Sequence, residues 1–150
     1  MKLTKTFRFE ASHVLPRHPG KCSRLHGHSW ILHVSVEGAI DPTTGFVKDY
    51  AEISKVVKPL VERLDHRHLG RWSDLSLSVE CADSLFWSEY QRSGVPNLST
   101  NFYPSSENLL IWIGEQLVQL ALNWSELSLE ETCTSLATLT REEFNNGKTV

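Results

Sequence analysis

From His26 to Val36 every second position is His26, His28, Trp30, Leu32, Val34 or Val36, with Ser29, His33 and Ser35 between them. Successive side chains on a strand point to opposite faces, so this stretch reads as a half-buried strand whose covered face begins with two histidines. The same parity runs through "TFRFEASH", where Phe7, Phe9, Ala11 and His13 share one side and Arg8, Glu10 and Ser12 the other. Two such strands need a cover for one sheet face, and amphipathic segments later in the chain supply it, which makes α+β the fold class.

The turn "DPTTG" follows the second strand, and Asp49 with Glu52 three residues on reads as a capping box. Behind it Ile53, Val56, Val57, Leu60 and Leu64 recur at helical spacing, with Pro59 expected to bend the helix. "PSSENLLIWIGEQLVQLAL" is the second helix, with serine caps, Leu110, Ile113, Leu117 and Leu120 on one face, and Gly114 costing some stability. "ADSLFWSEYQRSG" reads as a short helix with a glycine stop, "ELSLEETCTSLATLT" as one alternating strand, and "REEFNNGKTV" as a polar tail. Nothing repeats and no linker interrupts the pattern, so residues 1–150 form one domain.

A formal charge of -3 gives no overall basic bias toward nucleic acid, so an anionic ligand must meet a local cluster of cations. No run approaches the roughly 20 apolar residues that span a bilayer, which excludes a membrane partner of that kind. The 3 cysteines, Cys22, Cys81 and Cys133, are odd in number and irregularly spaced, which points away from a disulfide framework and toward a reducing, cytoplasmic setting.

The chemistry-bearing residues cluster in a few places. His13, His26 and His28 all lie on the apolar parity of strands expected to pair, so they are either satisfied core histidines or three ligands with an open fourth position, the usual plan of a catalytic zinc. His18, His33 and His68 read as loop or opposite-face residues and are not assigned as ligands. Cys22 is either a small buried hydrophobe or, between Lys21 and Arg24, a thiolate favoured by positive charge. By parity Glu131 joins Leu127 and Leu129 while Glu130 points away, so Glu131 is a functional acid or half of a buried ion pair. Glu107 is explained by the helix dipole alone, and Asp65 beside His66 is either an oriented acid–base pair or two surface residues.

Taken in order, "FRFEASH", "CSRLHGHSW", "DPTTGFVKDY", "LDHRHL", "PSSENL" and "LEETCT" resemble the 6-pyruvoyl-tetrahydropterin synthase superfamily. Within it, a cysteine separated from H-G-H by three residues is similar to the 6-carboxy-tetrahydropterin synthase branch of the queuosine and 7-deazapurine pathway. The resemblance implies a tunnelling fold, a four-stranded antiparallel sheet with two helices on one face, whose subunits join into a barrel as a homohexamer of two trimers. It implies Zn2+ on His13, His26 and His28, Cys22 as general base, and Asp65 with His66 as a proton relay. Glu131 then anchors the pterin and takes part in the relay, and Glu107, Ser105 and Ser106 are further substrate-side positions, the serines standing where threonines are common.

The implied activity is that of a zinc-dependent lyase converting 7,8-dihydroneopterin triphosphate to 6-carboxy-5,6,7,8-tetrahydropterin, with loss of acetaldehyde and triphosphate. Arg17, Lys21 and Arg24 are the expected triphosphate contacts. Two alternatives stand beside it: a synthase that keeps the three-carbon side chain as a pyruvoyl group, and a zinc-binding scaffold without turnover. The chain departs from the family between residues 71 and 103, a longer connection than usual, whose aromatics favour a packing or subunit-contact role over a lid.

Overall fold

A computed structural model of the chain describes residues 1–71, 97–98 and 100–147. Strand β1 (Lys2–His13) pairs antiparallel with β2 (His26–Glu37) along its whole length, Lys2 opposite Glu37 and His13 opposite His26. A loop carrying a single 3-10 turn at Lys21–Ser23 joins the two histidine-bearing ends. Helix α1 (Tyr50–Leu64), the short strand β3 (Arg67–Leu69), β4 (Asn97–Leu98), helix α2 (Ser106–Gln119), β5 (Glu126–Thr132), β6 (Ser135–Thr140) and helix α3 (Arg141–Asn146) follow.

The sheet runs β4-β3-β1-β2-β5-β6. Its β1, β2, β5 and β6 strands are the expected antiparallel set, and β3 and β4 extend it by short parallel pairings. Helix α1 packs on β1 and β3, and α2 on β5 and β6. Between helices and sheet lie Phe7, Phe9, Trp30, Leu32, Val34, Ile53, Leu60, Leu110, Ile113, Leu127 and Leu129, all buried. Fully burying a side chain of this size stabilises the fold by about 1.5–3 kcal/mol, so this layer holds the strand register. The opposite face stays open and polar, with Thr6, His33 and Glu130 linked in a row across β1, β2 and β5. Among the described residues no helix is long and apolar enough to cross a membrane.

Several expectations need correction. Asp49 caps α1 by accepting from the Ala51 N–H at 2.7 Å, but Glu52 closes no box and pairs with Lys48 instead. Pro59, as expected, leaves α1 unbroken. In α2 the covered face is Leu109, Leu110, Ile113 and Leu117, whereas Leu120 is the C-cap and 50% exposed. The single long strand is a hairpin: β5 and β6 meet across Cys133 and Thr134. The polar tail forms α3, where Thr140 and Glu143 make a reciprocal capping box and Phe144 is buried. The expected helix at "ADSLFWSEYQRSG" lies outside the described residues, as does most of the long connection.

Gly114 is a packing requirement rather than a defect. A Cβ there would stand 2.9 Å from Cζ2 of Trp124 and 3.2 Å from Cε2 of Phe144, and these two rings already meet edge to face. Alanine would gain about 1 kcal/mol in helix propensity but overpack a rigid indole, a cost of about 1–3 kcal/mol. Gly114→Ala is therefore expected to lower the urea midpoint, and an unchanged or raised midpoint would show that α2 can move off Trp124.

Candidate metal centre

The register of β1 and β2 sets His13 directly opposite His26, and Ala11 opposite His28, at one end of the covered face. Gly27 between the two histidines lets the strands close up, since a Cβ there would lie 3.2 Å from the Ala11 carbonyl oxygen. Trp30 ties the same strands by donating its indole N–H to that carbonyl at 3.1 Å. The three imidazoles stand in mutual ring contact, with centroids 4.5–5.1 Å apart.

Their ring nitrogens are oriented by the backbone. His13 Nδ1 lies 2.7 Å from the Pro104 carbonyl oxygen, and His26 Nδ1 lies 2.7 Å from that of Arg24. A carbonyl only accepts, so each Nδ1 carries the proton and each Nε2 presents a lone pair. The two Nε2 atoms face each other at 3.0 Å, and His28 Nε2 is buried with no hydrogen-bond partner among the described residues. Glu131 completes the group, its Oε1 3.2 Å from His13 Nε2 and 3.5 Å from His28 Nε2. One ligand atom from each of the four residues falls within 4.8 Å of the others. Lone pairs and a carboxylate aimed at one point repel unless a cation lies among them, so the donor set fits a metal ion.

Glu131 reaches this point through a β-bulge. Glu130 pairs with Leu136 and Thr132 with Ser135, which leaves Glu131 as the unpaired extra residue, re-aimed toward the histidines. The close approach of His13 holds its carboxyl below the usual range, although burial opposes this. Burial and then the neighbouring His13 push His28 below the ordinary imidazole value, which favours its neutral, ligating form. The carboxylate thus occupies the side where the sequence left a fourth position open.

Asp65 and His66 form a pair docked on β1. The Glu10 N–H donates to Asp65 Oδ1 at 2.8 Å, the His66 N–H donates to the Glu10 carbonyl at 2.6 Å, and His66 Nδ1 lies 2.8 Å from Asp65 Oδ2. The bond from Glu10, followed by His66, holds Asp65 below the usual carboxylate range. His66 has φ +55°, a costly conformation for a residue with a β-carbon, and this strain sets the exposed ring at the rim of a cleft of about 410 Å3. His28 lines the same cleft, so the cluster and the acid–base pair share one opening.

Cys22 lies half-buried on the 3-10 turn, where its carbonyl accepts from the Leu15 N–H at 2.9 Å. Ser105 is the N-cap of α2, its hydroxyl facing the Asn108 N–H at 3.4 Å, Ser106 is the first helical residue, and Glu107 is exposed in the first turn. Lys21 and Arg24 are exposed on the loop.

His68 keeps the opposite-face parity expected of it, in register with Ser12, but it is a buried strand residue and not part of a loop. It is 1% exposed on β3, lines the cleft, and lies 3.2 Å from the Ser12 hydroxyl through Nδ1. A three-residue strand is too short for periodicity to reveal, and the only available signal was its alternation with His66 in "DHRHL". Burial, and secondarily His13, push its pKa from 6.5 down to about 4. Because the unfolded chain binds that proton more readily, the contribution of His68 is complete above pH 6.5 and is lost as pH falls toward about 4. Urea midpoints are expected to drop across this window, and more steeply for the native chain than for His68→Gln. Equal slopes would mean that His68 titrates as it does when unfolded.

His28→Ala removes a ligand whose Nε2 has no hydrogen-bond partner among the described residues. Its affinity for Zn2+, used as the probe in isothermal titration, is expected to fall by at least about 100-fold, beyond the usual effect of losing an outer-shell partner. Retention of tight stoichiometric binding would exclude the cluster as the metal centre.

Comparison with known proteins places this geometry in context. A family profile described as 6-pyruvoyl tetrahydropterin synthase matches residues 2–142. The 6-carboxy-5,6,7,8-tetrahydropterin synthase of Synechocystis sp. is 38% identical over 100 residues, covering 63% of this chain and 78% of the relative. A putative 6-carboxy-5,6,7,8-tetrahydropterin synthase of Methanocaldococcus jannaschii is 28% identical over 137 residues, covering 83% of each. The structure of Caenorhabditis elegans 6-pyruvoyl tetrahydropterin synthase superposes with a TM-score of 0.67 at 24% identity, covering 93% of this chain and 94% of that one, which shows a shared fold.

Proposed function

Because the chain belongs to the 6-pyruvoyl tetrahydropterin synthase family, we propose that it converts 7,8-dihydroneopterin triphosphate to 6-carboxy-5,6,7,8-tetrahydropterin, releasing acetaldehyde and triphosphate. The observation that carries this reading is the convergence of His13, His26, His28 and Glu131 beside a cleft that also holds the Asp65–His66 pair. A scaffold that only bound metal would need the first group and not the second. We assign the ion as Zn2+, held by the three imidazoles, on the strength of an all-nitrogen set with one exchangeable side. Lewis-acid polarisation of the substrate's side-chain hydroxyls is the chemistry such an ion supplies when bound.

The chain's own residues divide the remaining tasks. Cys22 accepts a proton from the side chain of the substrate, and His66, oriented through Nδ1 by the ionised Asp65, carries protons between substrate and solvent. Glu131 turns from the histidines to the pterin, where its two oxygens accept from the ring N–H and amino groups. Its 24% side-chain exposure leaves room for that exchange. Ser106 and Glu107 at the start of α2 lie on the pterin side, and Ser105 holds the helix start in place. The pathway assigned is queuosine or another 7-deazapurine, the setting cytoplasmic, and the assembly a hexamer of two trimers closed through the sheets.

Incubating zinc-loaded protein with 7,8-dihydroneopterin triphosphate is expected to release acetaldehyde in step with a carboxypterin, followed by mass spectrometry. A pyruvoyl product without acetaldehyde would move the assignment to the sister reaction. Cys22→Ala is expected to keep its zinc while turnover falls by about 10²–10⁴-fold, the usual range for removing a general base. Full activity in that variant would refute the proton-acceptor role.

A further inference from the structure

Two arginines share one aromatic ring close to the histidine cluster. The guanidinium carbon of Arg17 lies 5.0 Å from the ring centroid of Tyr103, and that of Arg71 lies 5.9 Å from the same centroid. Each distance is that of a cation–π contact. Arg71 also donates from Nη2 to the Asn101 carbonyl at 2.9 Å, which fixes its planar head. Both arginines are exposed, and among the described residues neither makes an ion pair with a carboxylate.

The position of this cluster is tied to the metal centre by three short tethers that all begin at His13. Arg17 follows His13 by four residues along the chain. Tyr103 precedes Pro104, whose carbonyl holds His13 Nδ1. Arg71 follows Leu69 by two residues, and Leu69 is the register partner of His13 in β3. Tyr103 is itself anchored, its carbonyl accepting from the Ser105 N–H at 2.9 Å and from the Asn108 side-chain amide at 3.0 Å.

Two like charges on one ring repel each other, and a purely structural contact would need only one of them. Their juxtaposition, without a carboxylate between them, in a chain of formal charge -3, marks a place built for an anion of high charge. Guanidinium groups bind phosphate through paired N–H donors, and an extended phosphate chain offers each arginine its own oxygens. We propose that Arg17, Tyr103 and Arg71 form the receiving site for the polyphosphate tail of the substrate, with Tyr103 holding both arginines in position. This rests on the reading of the histidine cluster as a pterin triphosphate site. It also replaces the sequence-based grouping of Arg17 with Lys21 and Arg24, because the structure partners Arg17 with a residue more than fifty positions away.

The test uses the full chain, prepared both with zinc and after chelation, and inorganic tripolyphosphate as the probe in isothermal titration. The double variant Arg17→Ala, Arg71→Ala is expected to bind the probe at least about tenfold more weakly in both preparations, with a shallower dependence on salt. Its KM for the pterin triphosphate should rise by a similar factor, while KM for the dephosphorylated pterin alcohol stays unchanged in any preparation that turns it over. Tripolyphosphate affinity equal to that of the native chain would overturn the anion site, and intact turnover beside it would leave the synthase reading standing. Arginine-dependent tripolyphosphate binding in a native chain that fails to convert the pterin would instead support the anion site and bring down the synthase reading.

Discussion

The pairing of His13 with His26 across β1 and β2 is the constraint on which the rest of the site depends. A slip of one residue in either strand would turn its histidines to the open face, because side chains alternate with a period of two. What resists the slip is the covered layer itself: Phe7, Phe9, Trp30, Leu32 and Val34 would all have to leave the core together. The Trp30 indole adds a directional lock, bonded to the carbonyl of Ala11 two residues from His13 on one strand and two from His28 on the other. Packing that would be needed for stability in any case therefore also sets the ligand geometry.

His13 is the point where separate parts of the chain meet. Its backbone pairs with β2 and β3, its Nδ1 is held by the carbonyl that precedes α2, and its Nε2 faces His26 and Glu131. The start of α2, the end of β3 and the bulge in β5 are all fixed relative to this one buried ring. Rigid elements thus deliver the functional groups at their ends, while the local irregularities, the bulge at Glu131 and the positive φ at His66, aim individual side chains.

This division explains which parts could be read in the sequence. His13, His26 and His28 were legible because periodicity alone assigns a face, and a polar residue on the covered face demands a reason. Parity also singled out Glu131, but its approach to the histidines depends on a bulge that nothing in "LEETCTSLAT" announces. The hairpin went unread because Cys133 and Thr134 lack the Asn-Gly type of signal that marks tight turns. In contrast, α3 carried a signal, the Thr140–Glu143 capping box, that the polar composition of the segment obscured. Contacts such as Arg17 and Arg71 on Tyr103 join residues far apart in the chain, and no local pattern encodes them.

Four of the histidines near one opening are given different tasks by their surroundings rather than by their chemistry. His13 and His26 have their protons fixed on Nδ1 by carbonyls, which leaves each with one lone pair in one direction. His28 is held neutral by burial and by the neighbouring rings, so it too is ready to ligate near neutral pH. His66 is in the opposite situation: its ring is 79% exposed and rests against a carboxylate that a backbone N–H keeps ionised. The first three are suited to hold a cation in place, and the fourth is suited to exchange protons with water. Separate environments for groups of one kind are what a site needs if it is to bind a metal and move protons at the same pH.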